Sequence, residues 1–170
     1  ARCRPDILLV LGDRFEMHSA AVAAVPFLIP VAHIAGGSVT VGAIDDAFRH
    51  SISKMSHLHF TETETYARRI IQMGEEPWRV LVTGALALDA LRCFEPQPYQ
   101  EWSTEYGLPS DQPPLLVTFH PVTLEHQQTE WQMGELLAAL GTSEMPVLFT
   151  YPNADTNGRV IIRMIEDFVS

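Results

Sequence analysis

The sequence predicts an α/β fold built on parallel sheets, and three observations carry that expectation. Six short apolar runs recur along the chain: Ile7–Leu11, Val31–Ile34, Leu58–Phe60, Val80–Val82, Leu115–Val117 and Val147–Phe149. They read as continuous apolar runs without polar alternation, as strands buried between helices do. Each ends in a polar or glycine-bearing tip and is followed by a helix-like stretch. In such sheets ligands bind beyond the carboxyl ends of the strands. That edge collects Asp13, Arg14, Ser38, His120 and Asn153, which suit an anionic, hydroxyl-rich ligand.

Taken in order, the segment after Gly12-Asp13-Arg14 predicts a helix over Phe15–Phe27, with Met17, Ala21, Ala24 and Leu28 near one face. Pro26 falls near its end and Pro30 leads into the next strand. After Val31–Ile34 comes a glycine-containing loop over Ala35–Gly42. The next helix is expected over Ala43–Ser56, with Ile44, Ala47, Phe48, Ile52 and Met55 inward. Asp45 and Asp46 in its first turn suit the positive end of the helix dipole. Thr61 and Glu64 have capping-box spacing before a helix over Tyr66–Met73, which Gly74 stops. A helix over Leu86–Phe94 follows the fourth run. Between Glu95 and Pro114 five prolines sit among Gln, Ser, Asp and Gly, which reads as an inter-domain connection without regular structure. The organisation expected is therefore residues 1–94, a connection over 95–114, and a second unit over 115–170. That second unit carries helices over Gln127–Leu140 and Gly158–Val169.

Composition narrows the function classes. The chain has 170 residues, 46% hydrophobic and 19% charged, enough to bury a sizeable core. A net charge of −10 argues against a nucleic-acid partner, whose phosphates it would repel. No apolar run approaches the ~20 residues that span a bilayer. Cys3 and Cys93 lie far apart with no CxxC or Cys/His cluster, so a zinc site has no support and a reducing, cytosolic setting is expected. The chain starts almost directly on an apolar strand and ends on a helix, which reads as an excerpt of a longer protein.

Several residues could carry chemistry, and each has a plainer alternative. Asp13 could project into the crevice or simply cap the following helix. Arg14 could grip a phosphate or carboxylate, or be a solvated surface arginine. Asp45 with Arg49, and Asp46 with His50, stand at i,i+4 spacing. They form either a salt-bridged exposed helix start or a carboxylate poised for proton transfer. His120, before Pro121, could bond a phosphate or only its own turn. Asn153 could contact a ligand or form a turn. His57 and His59 read as structural. No GxGxxG, P-loop or nucleophile elbow is present, so a nicotinamide cofactor, an ATPase and a serine hydrolase are unsupported.

The strings PDILLVLGDRFE (5–16), HIAGG (33–37), GAIDDAFRHSISKMSHLH (42–59) and FHPVTLE (119–125) closely resemble the hydrolysing UDP-N-acetylglucosamine 2-epimerases, over nearly the whole chain. The resemblance implies a GT-B type fold, with parts of two Rossmann-like, doubly wound domains and the nucleotide sugar between them. It also implies a reaction in nonulosonic (sialic-type) acid synthesis. A base takes the C2 proton, UDP leaves C1 to give a glycal, and water adds to give N-acetylmannosamine. No metal or redox cofactor is implied. Residue by residue, Asp13 and Asp45 match the catalytic carboxylates, and Arg14, His120 and Asn153 match UDP contacts. His120 is also carried as catalytic, and Arg49 and His50 as substrate-binding. Ala35 and Ser38 stand where the family often has an acid, and Val41 where a second one is common. UDP and a UDP-sugar are the expected ligands, and a homo-oligomer the expected assembly. Three other readings are a truncated binding relative that no longer turns over, an epimerase acting on a 2,4-diacetamido UDP-sugar, and a glycosyltransferase of the same fold. Against the transferase stands the GAIDD helix.

Overall fold

The computed structural model describes residues 4–170, so Cys3 lies outside the described residues. The chain divides into two compact units, Ala1–Phe94 and Glu95–Ser170. In the first, strands β1 (Leu8–Leu11), β2 (Val31–Ile34), β3 (Leu58–Thr61) and β4 (Val80–Val82) alternate with helices. These are α1 (Phe15–Ala24), α2 (Asp45–Met55), α3 (Glu64–Gln72) and α4 (Leu86–Arg92). The four strands form one parallel sheet in the order β1-β2-β3-β4. Its register runs Val10↔His33, His33↔His59 and His59↔Val80 across the sheet. Since all strands run the same way, the tips after β1, β2 and β3 lie on one edge.

One face of this sheet is covered and the other only in part. Val10 and Val31 pack with Ala21 and Ala24 of α1 and Ile52 of α2 into the core, flanked by Leu8, Met17, Ile29 and Met55. The pleat turns the alternate residues to the opposite face. There Leu9 is 59% and Leu11 52% exposed. Ile7, Leu9, Ile34, Leu58, Phe60 and Leu86 line an open apolar groove on that side. Among the described residues, α1 and α2 put their buried residues against one face; on the other, β1 is exposed while Ala32 of β2 is buried.

Four local expectations are corrected. Pro26 converts the end of the first helix into a 3-10 turn over Val25–Phe27, because it cannot donate to the α-helical ladder. Leu28, expected on the buried face, follows in the left-handed region (φ 56°) and is 90% exposed. The cap of α3 is Thr63, whose hydroxyl accepts the Tyr66 N–H at 3.3 Å. Thr61 is instead the last residue of β3, paired with Val82, and donates its hydroxyl to the Leu81 carbonyl. On α2 the buried residues are Arg49, Ile52 and Ser53, while Ile44 and Ala47 are exposed.

The second unit begins with the proline-rich segment, which carries a helix, α5 (Tyr99–Glu105), where no regular structure is expected. Tyr99 ties it down, its one hydroxyl proton shared between the carbonyls of Pro109 (2.8 Å) and Gln112 (3.0 Å). Strands β5 (Leu115–Thr118) and β6 (Val147–Thr150) pair in parallel, Leu115↔Val147 through Thr118↔Thr150. A 3-10 stretch over Thr123–Gln128 leads into α6 (Thr129–Gly141), and α7 (Gly158–Val169) closes the chain. Met133, Ile161 and Ile165 form its core, with Phe119, Leu136 and Phe149 against them. Among the described residues, no helix is long and apolar enough to cross a membrane.

Candidate functional site

The sharpest concentration of charge lies at the tips of β1 and β2 and the start of α2. β1 is followed by Gly12, whose φ of +83° turns the chain away from the sheet; a side chain there would be strained although space is open. The next residue, Asp13, places its carboxylate directly on the guanidinium of Arg49. Arg49 is buried, its side chain only 8% exposed. It also donates to the Thr40 hydroxyl at 3.0 Å and reaches Asp46 Oδ1 at 3.5 Å. Asp46 Oδ1 in turn accepts the Thr40 N–H at 3.1 Å, and its Oδ2 lies 3.6 Å from His50 Nε2. One buried cation thus bridges two carboxylates that are 33 residues apart in sequence.

Asp45 opens α2, half-buried, beside this cluster. Asp46 and His50 meet at the expected i,i+4 spacing, whereas Arg49, expected beside Asp45, reaches Asp13 and Asp46. The exposed Arg14 side chain lies 3.3 Å from Glu16 and across the Phe15 ring.

The β2 tip is held from beneath. His33 is fully buried; its Nε2 lies 2.7 Å from the Gly12 carbonyl and its Nδ1 3.1 Å from Ser53 Oγ. Burial lowers the His33 pKa from 6.5 to about 4, outweighing the opposing Gly12 hydrogen bond; His59 and Arg49 lower it further and Asp13 raises it. The imidazole is therefore neutral at physiological pH. Beyond it the loop turns through Ala35 (φ 63°) and Gly37 (φ 80°). At Gly37 a Cβ would meet the Tyr66 carbonyl at 2.4 Å, so only glycine lets α3 approach this closely. Arg69 of α3 donates to the Gly37 carbonyl and fixes the loop from the other side. Ser38 is half-buried just beyond.

A second buried histidine, His59, stands next to His33 across the sheet. Burial lowers its pKa against the pull of Glu75, whose Oε2 lies 3.4 Å away. Burial alone would raise Glu75, but Lys54 (Nζ 2.5 Å from Oε1) and His59 bring it below the usual carboxylate range. His57 accepts the Val31 N–H at 3.3 Å, a structural contact between β2 and the start of β3.

In the second unit the tips of β5 and β6 carry the hydroxyls of Thr118 and Thr150, 2.5 Å apart. Beyond them the Asn153 N–H donates to His120 Nδ1 at 3.2 Å. That bond makes Nδ1 of the exposed His120 ring an acceptor and leaves Nε2 to carry the ring proton. The Asn153 amide is occupied within its own turn, donating to Asp155 Oδ2 at 2.7 Å and accepting the Asp155 N–H at 3.3 Å. It is thus the backbone of Asn153 that reaches His120. Pro152, Asn153, Asp155, Asn157, Gly158 and Arg159 line a cavity of about 590 Å³ at the start of α7. Thr40, His33 and Ser53 in the first unit and Arg159 in the second take part although the sequence does not single them out as site residues. A histidine inside an otherwise apolar run was the available signal for His33.

Among the described residues, no group of three or more His, Cys, Asp or Glu side chains could hold a metal ion. In the first unit the buried guanidinium and its paired carboxylates are groups suited to proton transfer and to binding a polar, anionic ligand; in the second, the exposed imidazole of His120 can donate a hydrogen bond.

Comparison with known proteins supplies the rest. The family model described as UDP-N-acetylglucosamine 2-epimerase matches residues 1–170. The chain is 39% identical over 166 residues to a Campylobacter jejuni protein named GDP/UDP-N,N'-diacetylbacillosamine 2-epimerase (hydrolyzing), covering 97% of this chain and 43% of that one. It is 39% identical over 165 residues to the Escherichia coli polysialic acid biosynthesis protein P7, covering 96% and 42%. Among solved structures, the UDP-GlcNAc 2-epimerase from Neisseria meningitidis bound to UDP-GlcNAc matches with a TM-score of 0.73 at 23% identity, a likeness of fold. That match covers 98% of this chain and 47% of that one. The chain spans less than half the length of these relatives.

Proposed function

This chain belongs to the UDP-N-acetylglucosamine 2-epimerase family, and we propose that the whole protein is a hydrolysing member that converts UDP-N-acetylglucosamine and water into N-acetylmannosamine and UDP. The observation that carries the reading is the Asp13–Arg49–Asp46 cluster at the ligand-binding edge of the first sheet. Removal of the C2 proton by an enzyme carboxylate, with departure of UDP from C1, leaves a 1,2-unsaturated sugar. Water then adds at C1 and a proton returns to the opposite face of C2, so atoms and charge balance. Asp13 and Asp45 are assigned to the proton transfers at C2. The Arg49 guanidinium fixes the direction of the Asp13 carboxylate, since a bond to a charged donor is short and directional. Arg14 and His120 are assigned to UDP, with the Nε2–H of His120 as a donor to the diphosphate. Asn153 contributes by holding that imidazole through its backbone, and His50 by orienting Asp46.

The free sugar made this way is a precursor suited to nonulosonic (sialic-type) acid synthesis, in keeping with the name of the Escherichia coli relative. A second reading, a 2,4-diacetamido UDP-sugar as substrate, is favoured by the name of the Campylobacter jejuni relative. Incubating the whole protein with UDP-N-acetylglucosamine and, separately, UDP-N,N'-diacetylbacillosamine, and following UDP and free sugar by NMR, tests both. One UDP per free manno-configured sugar is expected from the true substrate. Release of UDP from neither compound, or an epimerised sugar still joined to UDP, would overturn the reading.

A further inference from the structure

We propose that His33 and Ser53 are positioning residues, a buried clamp that holds both ends of the Asp13–Arg49 ion pair in register. The functional weight of this clamp rests on the reading of Asp13 given above. The geometry itself does not.

The contacts close into a ring. The Gly12 carbonyl, one peptide before Asp13, can only accept, so His33 donates its Nε2–H to it across 2.7 Å. Nδ1 of a neutral ring then carries a lone pair, and Ser53 Oγ lies 3.1 Å from it. Ser53 is also 3.1 Å from the Arg49 carbonyl one helical turn earlier, so its single proton is shared between the two acceptors. From Arg49 the path returns through the guanidinium to Asp13. The tip of β1 and the helix that supplies the cation are thereby joined twice, once by charge through the guanidinium and once by the imidazole and hydroxyl.

A histidine merely filling core space would need no such pair of partners. His33 and Ser53 are both fully buried, so each lost bond would leave an unpaired polar group away from water. The loop above is shaped to leave room for them. A Cβ at Gly36 would stand 2.9 Å from His33 Nδ1 and 3.0 Å from Ser53 Oγ, pressing into the bond between them. The depressed His33 pKa keeps the ring in the neutral form that the ring of contacts requires, with His59, Arg49 and Asp13 as the charged or titratable groups facing it.

The test uses the whole protein with Ser53→Ala, His33→Phe and His33→Gln, alone and combined with Asp13→Asn. Displacing a catalytic group by about 1 Å can cost on the order of a hundredfold. Ser53→Ala and His33→Phe should therefore lower kcat by about ten- to a hundredfold with little change in KM. His33→Gln, which keeps a donor near Nε2, should recover most of that loss. In the Asp13→Asn background the extra loss should shrink to less than about twofold, because a residue acting through Asp13 has nothing left to position. The limbs of the kcat–pH profile should stay where they are, since His33 exchanges no proton with substrate. Independently of turnover, nitrogen-15 NMR should show His33 as the Nε2–H tautomer, and the Arg49 side-chain protons should exchange faster in Ser53→Ala. Undiminished losses in the Asp13→Asn background, an Nδ1–H tautomer, or unchanged Arg49 exchange would each overturn the proposal. A wild type that releases no UDP from either sugar overturns the functional reading alone. The NMR arm, which also serves if His33→Phe does not fold, still decides the clamp.

Discussion

Acid should loosen the first unit through His33, and the size of the effect follows from its burial. A histidine whose folded pKa lies below its unfolded one binds a proton more readily once unfolded, so acid favours unfolding. Stability is complete above the unfolded value of 6.5 and falls as pH drops toward about 4, below which both states are protonated. At about 1.4 kcal/mol per pH unit between the two values, His33 withdraws about 3 kcal/mol over that window. That is a large share of the 5–15 kcal/mol typical of a whole domain. His59, lowered by the same cause, adds to the loss in the same direction. The assay is urea unfolding at pH 7.5 and 4.5, followed through the amide signals of β2, in wild type and His33→Gln. The variant keeps a donor for the Gly12 carbonyl but cannot titrate, so its stability should fall by about 3 kcal/mol less between the two pH values. Equal losses in the two proteins would refute the argument, because the acid sensitivity would then come from other groups.

Other outcomes follow from the same geometry. In the whole protein, Asp13→Asn should lower turnover by about a hundredfold to ten-thousandfold while UDP still binds; wild-type rates would reduce Asp13 to a structural partner of Arg49. His120→Ala should weaken UDP binding by about 1.5–3 kcal/mol in calorimetry if its Nε2–H meets a phosphate, and unchanged affinity would remove it from the site. Gly12 and Gly37 share nearly the same positive φ but differ in surroundings. Gly12→Ala should cost only the backbone strain of about 1–2 kcal/mol. Gly37→Ala should cost about 1–3 kcal/mol more in overpacking against Tyr66 and Ile70, as read in urea midpoints. The 170-residue chain by itself should associate, since Leu9, Leu11 and neighbouring apolar groups face solvent on one side of the sheet; a monodisperse monomer by ultracentrifugation would contradict this.

The strands were the most legible part of the sequence, because each is a short apolar run stopped by a polar tip. What escaped were features set by contacts far away in the chain. Periodicity turns Ile44, Ala47, Phe48, Ile52 and Met55 of α2 inward; Ile52 and Met55 do meet the core, but Arg49 and Ser53 are buried where Ile44 and Ala47 are exposed. The partners that make this tolerable, Asp13 and His33, lie 36 and 20 residues away, beyond the reach of periodicity. Spacing alone offered Asp45 to Arg49 and had no means of offering Asp13. Capping-box spacing points to Thr61, but the residue that β4 adds to β3 by pairing keeps Thr61 in the strand, and Thr63 caps α3. The helix at Tyr99–Glu105 was hidden by its proline-rich surroundings, although Pro98 at its N-cap is a residue that can precede a helix but not continue one. Asn153 was legible as a strand-tip residue. That its backbone, rather than its amide, would meet His120 depends on the turn it forms with Asp155.

The central claim, hydrolytic 2-epimerisation with proton exchange at C2, is tested most directly in heavy water. The whole protein is incubated with UDP-N-acetylglucosamine in deuterium oxide, and the products are read by proton NMR and mass spectrometry. Free N-acetylmannosamine carrying one deuterium at C2 is expected, released in equal amount with UDP. A sugar that keeps its original C2 proton, or a sugar that remains attached to UDP, would contradict the claim.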